Sequence, residues 1–315
     1  MKGLTHCVTG VAVASFCPGA VQAAAAGNPL YLVLGAVAGL LPDTLDFKVY
    51  RFFAPHDVEI IPDPSRPDAR MIAGGVAAAV GQAAASGRTV RLKLAAVLTG
   101  GSQWQAYRVT FDGTRREVVA EYPDDDGAGG GNVRPCDVGQ PPPRHIARAP
   151  LPCPVTLDYT AAMDVRMFDG PLLHLEPAPD GRVHVRFLPW HRQWSHSLVT
   201  AAALGLAAGA AWGLLAGVVT ALAAAAHTAL DQLGFMGSNL FFPFTRHRTP
   251  GCQWRESSDT LANFGFIWTA CLLIFWNLAR LTPGSLHPVP LMPLLLYGAG
   301  IPVALVGLLR RWLPR

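Results

Sequence analysis

Charge is what this sequence has least of. Asp, Glu, Lys and Arg together make up 15% of its 315 residues, where soluble domains run near a quarter. The shortage is uneven: several long stretches carry almost no charge, and 51% of the chain is hydrophobic. An ordinary soluble domain is excluded, and an integral membrane protein is expected. No block of Lys and Arg occurs and the net charge is only +4, so no nucleic-acid partner is expected. The six cysteines, at positions 7, 17, 136, 153, 252 and 271, never fall in a CxxC spacing. That excludes a zinc-finger or thioredoxin-type motif and leaves buried or free thiols, as suits a reducing compartment. There is no internal repeat.

What is present is a set of long apolar runs. Leu4–Ala26, Pro29–Phe47, His196–Leu230, Leu261–Leu281 and Pro290–Leu313 are candidate membrane spans. The first imitates a secretory signal peptide, with Lys2 and then Val-Gln-Ala before Ala24. A retained helix is the better reading, because His6 has polar company elsewhere. Pro18 and Gly19 predict a kink in it. The third run is too long for one span, and Gly209, Gly213 and Gly217 near its middle predict two helices with a turn around 209–216. The expected fold is therefore an α-helical integral membrane bundle of about six transmembrane helices, in two pieces, 1–47 (helices 1–2) and 191–315 (helices 3–6). Between them, 48–190 reads as an inserted small α+β domain, mostly antiparallel. "MIAGGVAAAVGQAAASG" looks helical, and "RTVRLKLAAVL", "WQAYRVTFDG", "RREVVAEY", "VTLDYTAAMDVRMFDG" and "GRVHVRFLPW" look like strands. A Gly/Pro-rich stretch near 123–154 predicts a disordered loop.

The few ionisable residues of the apolar segments are sorted. His6 opens the first helix, "GLLPDTLDF" with Asp43 and Asp46 closes the second, "HRQWSHS" with His191, Arg192 and His196 opens the third, and His227 and Asp231 close the fourth. Helices that alternate up and down bring all four clusters to one membrane face. The far-side turns near 18–28 and 209–216 hold no Asp, Glu, Lys, Arg or His. Asp43 and Asp46 at i,i+3, and His227 and Asp231 at i,i+4, each share a helix face. Imidazole and carboxylate held together are divalent-metal donors. Taken singly, each residue also has a plain structural reading: a helix cap, a headgroup anchor, a chance HxxxD. Lys and Arg near the helix ends crowd the same face and leave only Arg280 on the other. The inner (plasma) membrane is therefore expected, with site, insert and both termini cytoplasmic.

"THCVTG", "LLPDTLDF", "HRQWSHSL" and "AHTALDQLGFMGSNLFFPF" together resemble the YdjM-type family of inner-membrane-associated metal-dependent hydrolases, over about 1–50 and 190–248. The resemblance implies a membrane-bound hydrolase whose functional residues fall here on His6, Asp43, Asp46, His191, Arg192, His196, His227 and Asp231. The family's link between its second and third helices is much shorter, so the insert lies outside what the resemblance explains.

On this reading Asp43, His196, His227 and Asp231 are the expected metal ligands, with His6 next. Asp46 is a ligand or the carboxylate that orients an imidazole. Arg192 suits an anionic substrate, and His191 is a ligand or general acid/base. One or two divalent ions (Zn, Mn or Fe) are expected, acting on an ester or phosphoester of a lipid or lipid phosphate in the bilayer. Phosphatidic-acid-type phosphatases also use an HxxxD element, but the residue six before His227 is Ala221 and no PSGH occurs. The rival reading is a non-enzymatic membrane scaffold whose insert docks a protein partner of unknown identity, its polar clusters holding helices together. A transporter would carry ionisable residues at mid-membrane or on both faces. The aromatic stretch after Asp231 reads as an interfacial loop, or as a lid or acyl-chain wall. In the insert, Asp63, Asp68, Asp124–Asp126, His145, His174 and His184 have no metal-type spacing.

Overall fold

The structure, a computed structural model, describes residues 2–50, 53–100, 103–122, 145–158, 161–165, 171–187, 190–257, 259–282, 284 and 289–312. The chain divides into two compact units, Met1–Phe53 with Trp190–Arg315, and Ala54–Pro189.

The first unit is helical. Helices α1 (Gly3–Ser15) and α2 (Pro18–Ala25) are the two arms of the first apolar run, bent by 94° at the break before Pro18, where proline cannot continue the hydrogen-bond ladder. Helix α3 (Leu30–Thr44) contains Pro42 and runs on into a π-helical turn, Leu45–Val49. Such widened turns are rare and recur at functional sites. In the insert, helix α4 spans Ala69–Ser86. The third apolar run is two helices, α5 (Leu198–Trp212) and α6 (Leu214–Gln232). They part at Gly213, whose φ of 89° only glycine adopts at no steric cost. Helix α7 (Thr260–Leu281) is capped by Asp259, which accepts from the Leu261 and Ala262 amides. The last apolar run joins α8 (Leu291–Pro293) through a π-helical segment, Leu294–Gly300, to α9 (Ile301–Trp312).

Among the described residues, four helical segments are long and apolar enough to cross a membrane: Leu30–Val49, Leu214–Gln232, Thr260–Leu281 and Leu291–Leu309. The bent α1–α2 pair makes a fifth if it is one span. Counting six also requires α5, whose 15 residues fall short of the roughly 20 that cross a hydrocarbon core unaided.

Glycine sets the closest helix approaches. A Cβ on Gly35 would lie 2.6 Å from the Gly10 carbonyl oxygen and 2.7 Å from the Ala14 methyl, so α1 and α3 touch backbone to backbone. Gly205 and Gly217 bring α5 and α6 together the same way; a Cβ on Gly205 would stand 2.6 Å from that of Ala221. Small residues spaced four apart allow such approach in a bilayer, where apolar surface itself supplies no drive for association. Polar pairs fix the register of α1 against α7: Thr5 Oγ1 donates to Asn263 Oδ1 (2.7 Å), and Asn277 Nδ2 donates to Ser15 Oγ (2.9 Å). The two helices therefore run parallel and start at the same end.

The second unit is the expected α+β insert. Strands β1 (Val58–Ile60), β2 (Val90–Leu94), β8 (Val155–Leu157), β10 (Leu172–Pro177) and β11 (Val183–Phe187) form one sheet in the order β1-β2-β10-β11-β8. Strands β5 (Tyr107–Asp112), β6 (Glu117–Glu121), β7 (Ile146–Pro150) and β9 (Ala162–Val165) form a second in the order β7-β6-β5-β9, and β3 (Val97–Gly100) pairs with β4 (Gln103–Gln105). The second sheet is antiparallel throughout, while β1–β2 and β11–β8 are parallel pairs. Strand residues alternate inward and outward, and α4 adds Ile72, Val76, Val80 and Ala83 to one shared core with both sheets. Of the Gly/Pro-rich stretch expected as loop, 123–144 lies outside the described residues. Ile146–Pro150, expected inside that loop, is a strand: Ala147 and Ala149 face the core while Arg148 points out and pairs with Glu117.

Candidate metal centre

Four elements deliver the site. Helix α1 supplies His6, the end of α3 and its π-turn supply Asp43 and Asp46, the segment before α5 supplies His191, Arg192, Ser195 and His196, and the last turns of α6 supply His227 and Asp231. Every one of these residues is buried except Asp43, whose side chain is 23% exposed.

Hydrogen bonds fix which atoms face inward. His227 Nδ1 donates to the Gly39 carbonyl (2.6 Å), so its Nε2 carries a lone pair. Ser195 Oγ donates to Asp46 Oδ1 (2.6 Å) and is left to accept from His196 Nδ1 (2.9 Å), which turns His196 Nε2 inward as well. Those tautomers are assigned from the partners. The two Nε2 atoms stand 3.1 Å apart. Asp231 Oδ2 lies 3.2 Å from His196 Nε2 and 3.6 Å from His227 Nε2. Asp43 Oδ1 lies 3.3 Å and 3.7 Å from the same pair. These four ligand atoms all fall within 4.8 Å of one another.

Four acceptor-type atoms facing one another repel unless a cation stands among them. Donors about 2.0–2.2 Å from a tetrahedral ion are themselves roughly 3.3–3.6 Å apart. Five of the six separations run from 3.1 to 3.7 Å, and the sixth, between Asp43 and Asp231, is within 4.8 Å. Charge agrees: Asp43, Asp46 and Asp231 against Arg192 leave two negative charges in the cluster, which a divalent ion neutralises. The donor set fits such an ion.

Asp46 has a different task from Asp43. Their i,i+3 spacing suggested one shared face, but the π-turn separates them. Asp43 addresses His196 at Nε2, while Asp46 lies 3.3 Å from its Nδ1. Asp46 also accepts from His191 Nδ1 (2.9 Å) and the Arg192 amide (3.0 Å), and its carbonyl accepts from Trp190 Nε1 (3.1 Å). It organises the whole 190–196 segment, the orienting role metal-site carboxylates often take. Asp46, His191 and His196 also bring ligand atoms close enough to form a second metal-type group.

His6 stacks on His227 (ring centroids 3.8 Å apart), with Nε2 3.3 Å from Asp231 Oδ1. It therefore meets the outer oxygen of Asp231, behind the four central donors. Arg192 reaches the same oxygen (Nη2, 3.1 Å) and donates from Nη1 to the Asp231 carbonyl (3.3 Å). It holds a left-handed φ of 59° while doing so. The sequence suggested an arginine for an anionic substrate; in the fold its Nη1 and Nη2 contact Asp231.

Burial lowers the pKa of His191, against the pull of Asp46, and keeps it neutral. For His196 burial acts in the same direction, but Asp231, Asp43 and Asp46 outweigh it and push the pKa up to about 10. Without a cation, a proton on His196 supplies the positive charge the cluster requires. Metal must displace that proton. Apparent affinity for zinc is therefore expected to rise with pH from 6 towards 9 and to level off only near the His196 pKa, as checked by competition with a chelator of known pH dependence.

Several residues of the site received no role from the sequence: Ser195, wedged between Asp46 and His196; Gly39, whose carbonyl orients His227; and Asn239. Asn239 is fully buried. Its amide donates to the Arg192 carbonyl (2.8 Å), its Nδ2 donates to Gln193 Oε1 and the Thr245 carbonyl, and its Oδ1 accepts from Thr245 Oγ1. The Gly35-x-x-x-Gly39 spacing was the available signal for Gly39, and the HRQWSHS motif held Ser195 without giving it a role.

Comparison with known proteins gives one family match: the model described as YdjM inner membrane protein matches residues 166–307. His191, Arg192, His196, His227 and Asp231 lie inside the matched span. His6, Asp43 and Asp46 lie before it and join the site through the fold. No curated protein and no solved structure matches the chain.

Proposed function

We propose, proceeding from the YdjM match and the four-donor geometry, that this chain is a multi-pass membrane metallohydrolase with its site on the cytoplasmic side of the inner membrane. The observation that carries the reading is the convergence of Asp43 Oδ1, His196 Nε2, His227 Nε2 and Asp231 Oδ2 at the spacing of a tetrahedral ion. Zinc suits the mixed nitrogen and oxygen donors, and manganese or iron are the alternatives. An ion held there by Asp43, His196, His227 and Asp231 would supply Lewis acidity and lower the pKa of a bound water.

The protein's own groups take the remaining roles. Gly39 and Ser195 hold the two imidazoles in the ligating tautomer, and Arg192 aims Asp231. Asp43, the one partly exposed donor, marks the side from which substrate arrives. His191 gives its Nδ1 proton to the Asp46 hydrogen bond and keeps Nε2 free to take up a proton, so it is the general base or acid of the site. The substrate class is an ester or phosphoester of a membrane-associated anionic molecule.

One observation favours a second reading: four protein donors complete a tetrahedron, as in structural zinc sites. The ion would then only clamp α3, α6 and the segment before α5, in a non-enzymatic scaffold. Purified protein loaded with zinc or manganese and assayed on lipid phosphates and soluble esters separates the two. The hydrolase reading expects turnover on lipid substrates that falls at least about 100-fold in His191→Gln, the size of a general-acid–base contribution, with metal retained. Metal retained without turnover on any substrate would favour the structural clamp.

A further inference from the structure

The polypeptide after α6 folds back on the site as a closed loop. Ser238 and Thr249 form a bridge at its neck. Its near side is tied to the start of α5: the Leu198 amide donates to the Leu240 carbonyl (2.9 Å), and Ser197 Oγ lies 3.1 Å from the Leu240 carbonyl and 2.9 Å from that of Phe242. Backbone 240–242 is therefore held level with the first turn of an apolar helix. Yet the loop turns its largest apolar side chains outward. Phe244 is 81% exposed and Phe241 51%, with Phe242 and Trp254 exposed nearby. The charge beside them has one sign. From Leu233 to Arg255 the chain holds Arg246, His247, Arg248 and Arg255 and no Asp or Glu. Arg255 pairs with Asp259, whereas Arg246 is exposed and pairs with no carboxylate among the described residues.

We propose that this loop is a binding site for the headgroup of an anionic phospholipid, with Phe241, Phe242 and Phe244 in the acyl border and Arg246 on the phosphate. Aromatic rings are favoured at that depth, and arginine near an anionic leaflet adds affinity that zwitterionic lipid does not return. The inference does not rest on the hydrolase reading: a scaffold would hold the same lipid.

The test is native mass spectrometry of the full chain in detergent, titrated with equimolar phosphatidylglycerol and phosphatidylcholine. Wild type is expected to retain the anionic lipid with a preference of about fivefold, the contribution of one arginine at a charged surface. Arg246→Gln brings the ratio close to one, and Arg246→Lys keeps most of the preference. A photoreactive phosphatidylglycerol is expected to crosslink within 240–248. Parity in wild type, an unchanged ratio in Arg246→Gln, or crosslinks confined to other segments would overturn the proposal.

Discussion

Asp231→Asn loses bound metal and destabilises the bundle at once. Asp231 uses both carboxylate oxygens, with Oδ2 turned to His196 and His227 and Oδ1 to Arg192 and His6. Asparagine keeps the shape and removes the charge. Loss of outer-shell partners alone lowers metal affinity by about 10–100-fold, so loss of a direct donor is expected to exceed 100-fold. The second cost falls on Arg192, only 7% exposed, whose guanidinium loses its carboxylate. Removing one partner of a buried pair costs about 3–5 kcal/mol. Asp231→Asn/Arg192→Met should recover most of the stability and none of the metal. Thermal unfolding in detergent read beside metal content separates the two losses. Asp231→Asn with wild-type metal content would show that Oδ2 is not a ligand.

Gly39→Val is expected to be as damaging, although residue 39 carries no functional group. A Cβ there would sit inside van der Waals contact of the His6 carbonyl oxygen. Backbone cannot yield as a flexible side chain does, so α1 and α3 must separate. Overpacking costs about 1–3 kcal/mol, and a branched residue against backbone belongs at the top of that range. Separation also moves His6, and moves the Gly39 carbonyl away from His227 Nδ1. Stability and metal content should therefore fall together. Gly74→Ala is the control. A Cβ on that helical glycine of the insert meets nothing within 4 Å, and the exchange should be neutral or stabilising by up to about 1 kcal/mol. An equal loss in both variants would assign the effect to general handling of the protein rather than to the α1–α3 crossing.

These two residues show what could be read from the sequence and what could not. Asp231 was legible because its pairing with His227, which alone could be chance, is one of four ionisable clusters that fall at helix ends in otherwise uncharged segments. The same reasoning found Asp43, His196 and His227, since alternation of helices brings their ends to one face. The division of α5 from α6 was legible in its length and glycines. The π-turn was not, because nothing near Pro42 fixes how far the helix widens, and it is that turn which sends Asp43 and Asp46 to opposite nitrogens of His196. Nor was the role of Arg192: the sequence gives its charge, but only the fold decides that its partner is Asp231. Strand β7 was hidden because its inward residues, Ala147 and Ala149, are too small to read as a hydrophobic alternation.

The central claim is that residues far apart in sequence, on α3, α6 and the segment before α5, hold one ion. Elemental mass spectrometry of detergent-purified wild type, beside folded Asp43→Ala and His227→Ala, tests it most directly. The account predicts about one equivalent of a divalent metal in wild type, as a single four-donor site requires, and its loss from both variants. Wild type without metal after chelator-free purification and reconstitution with zinc or manganese would contradict it, as would full metal content in either variant.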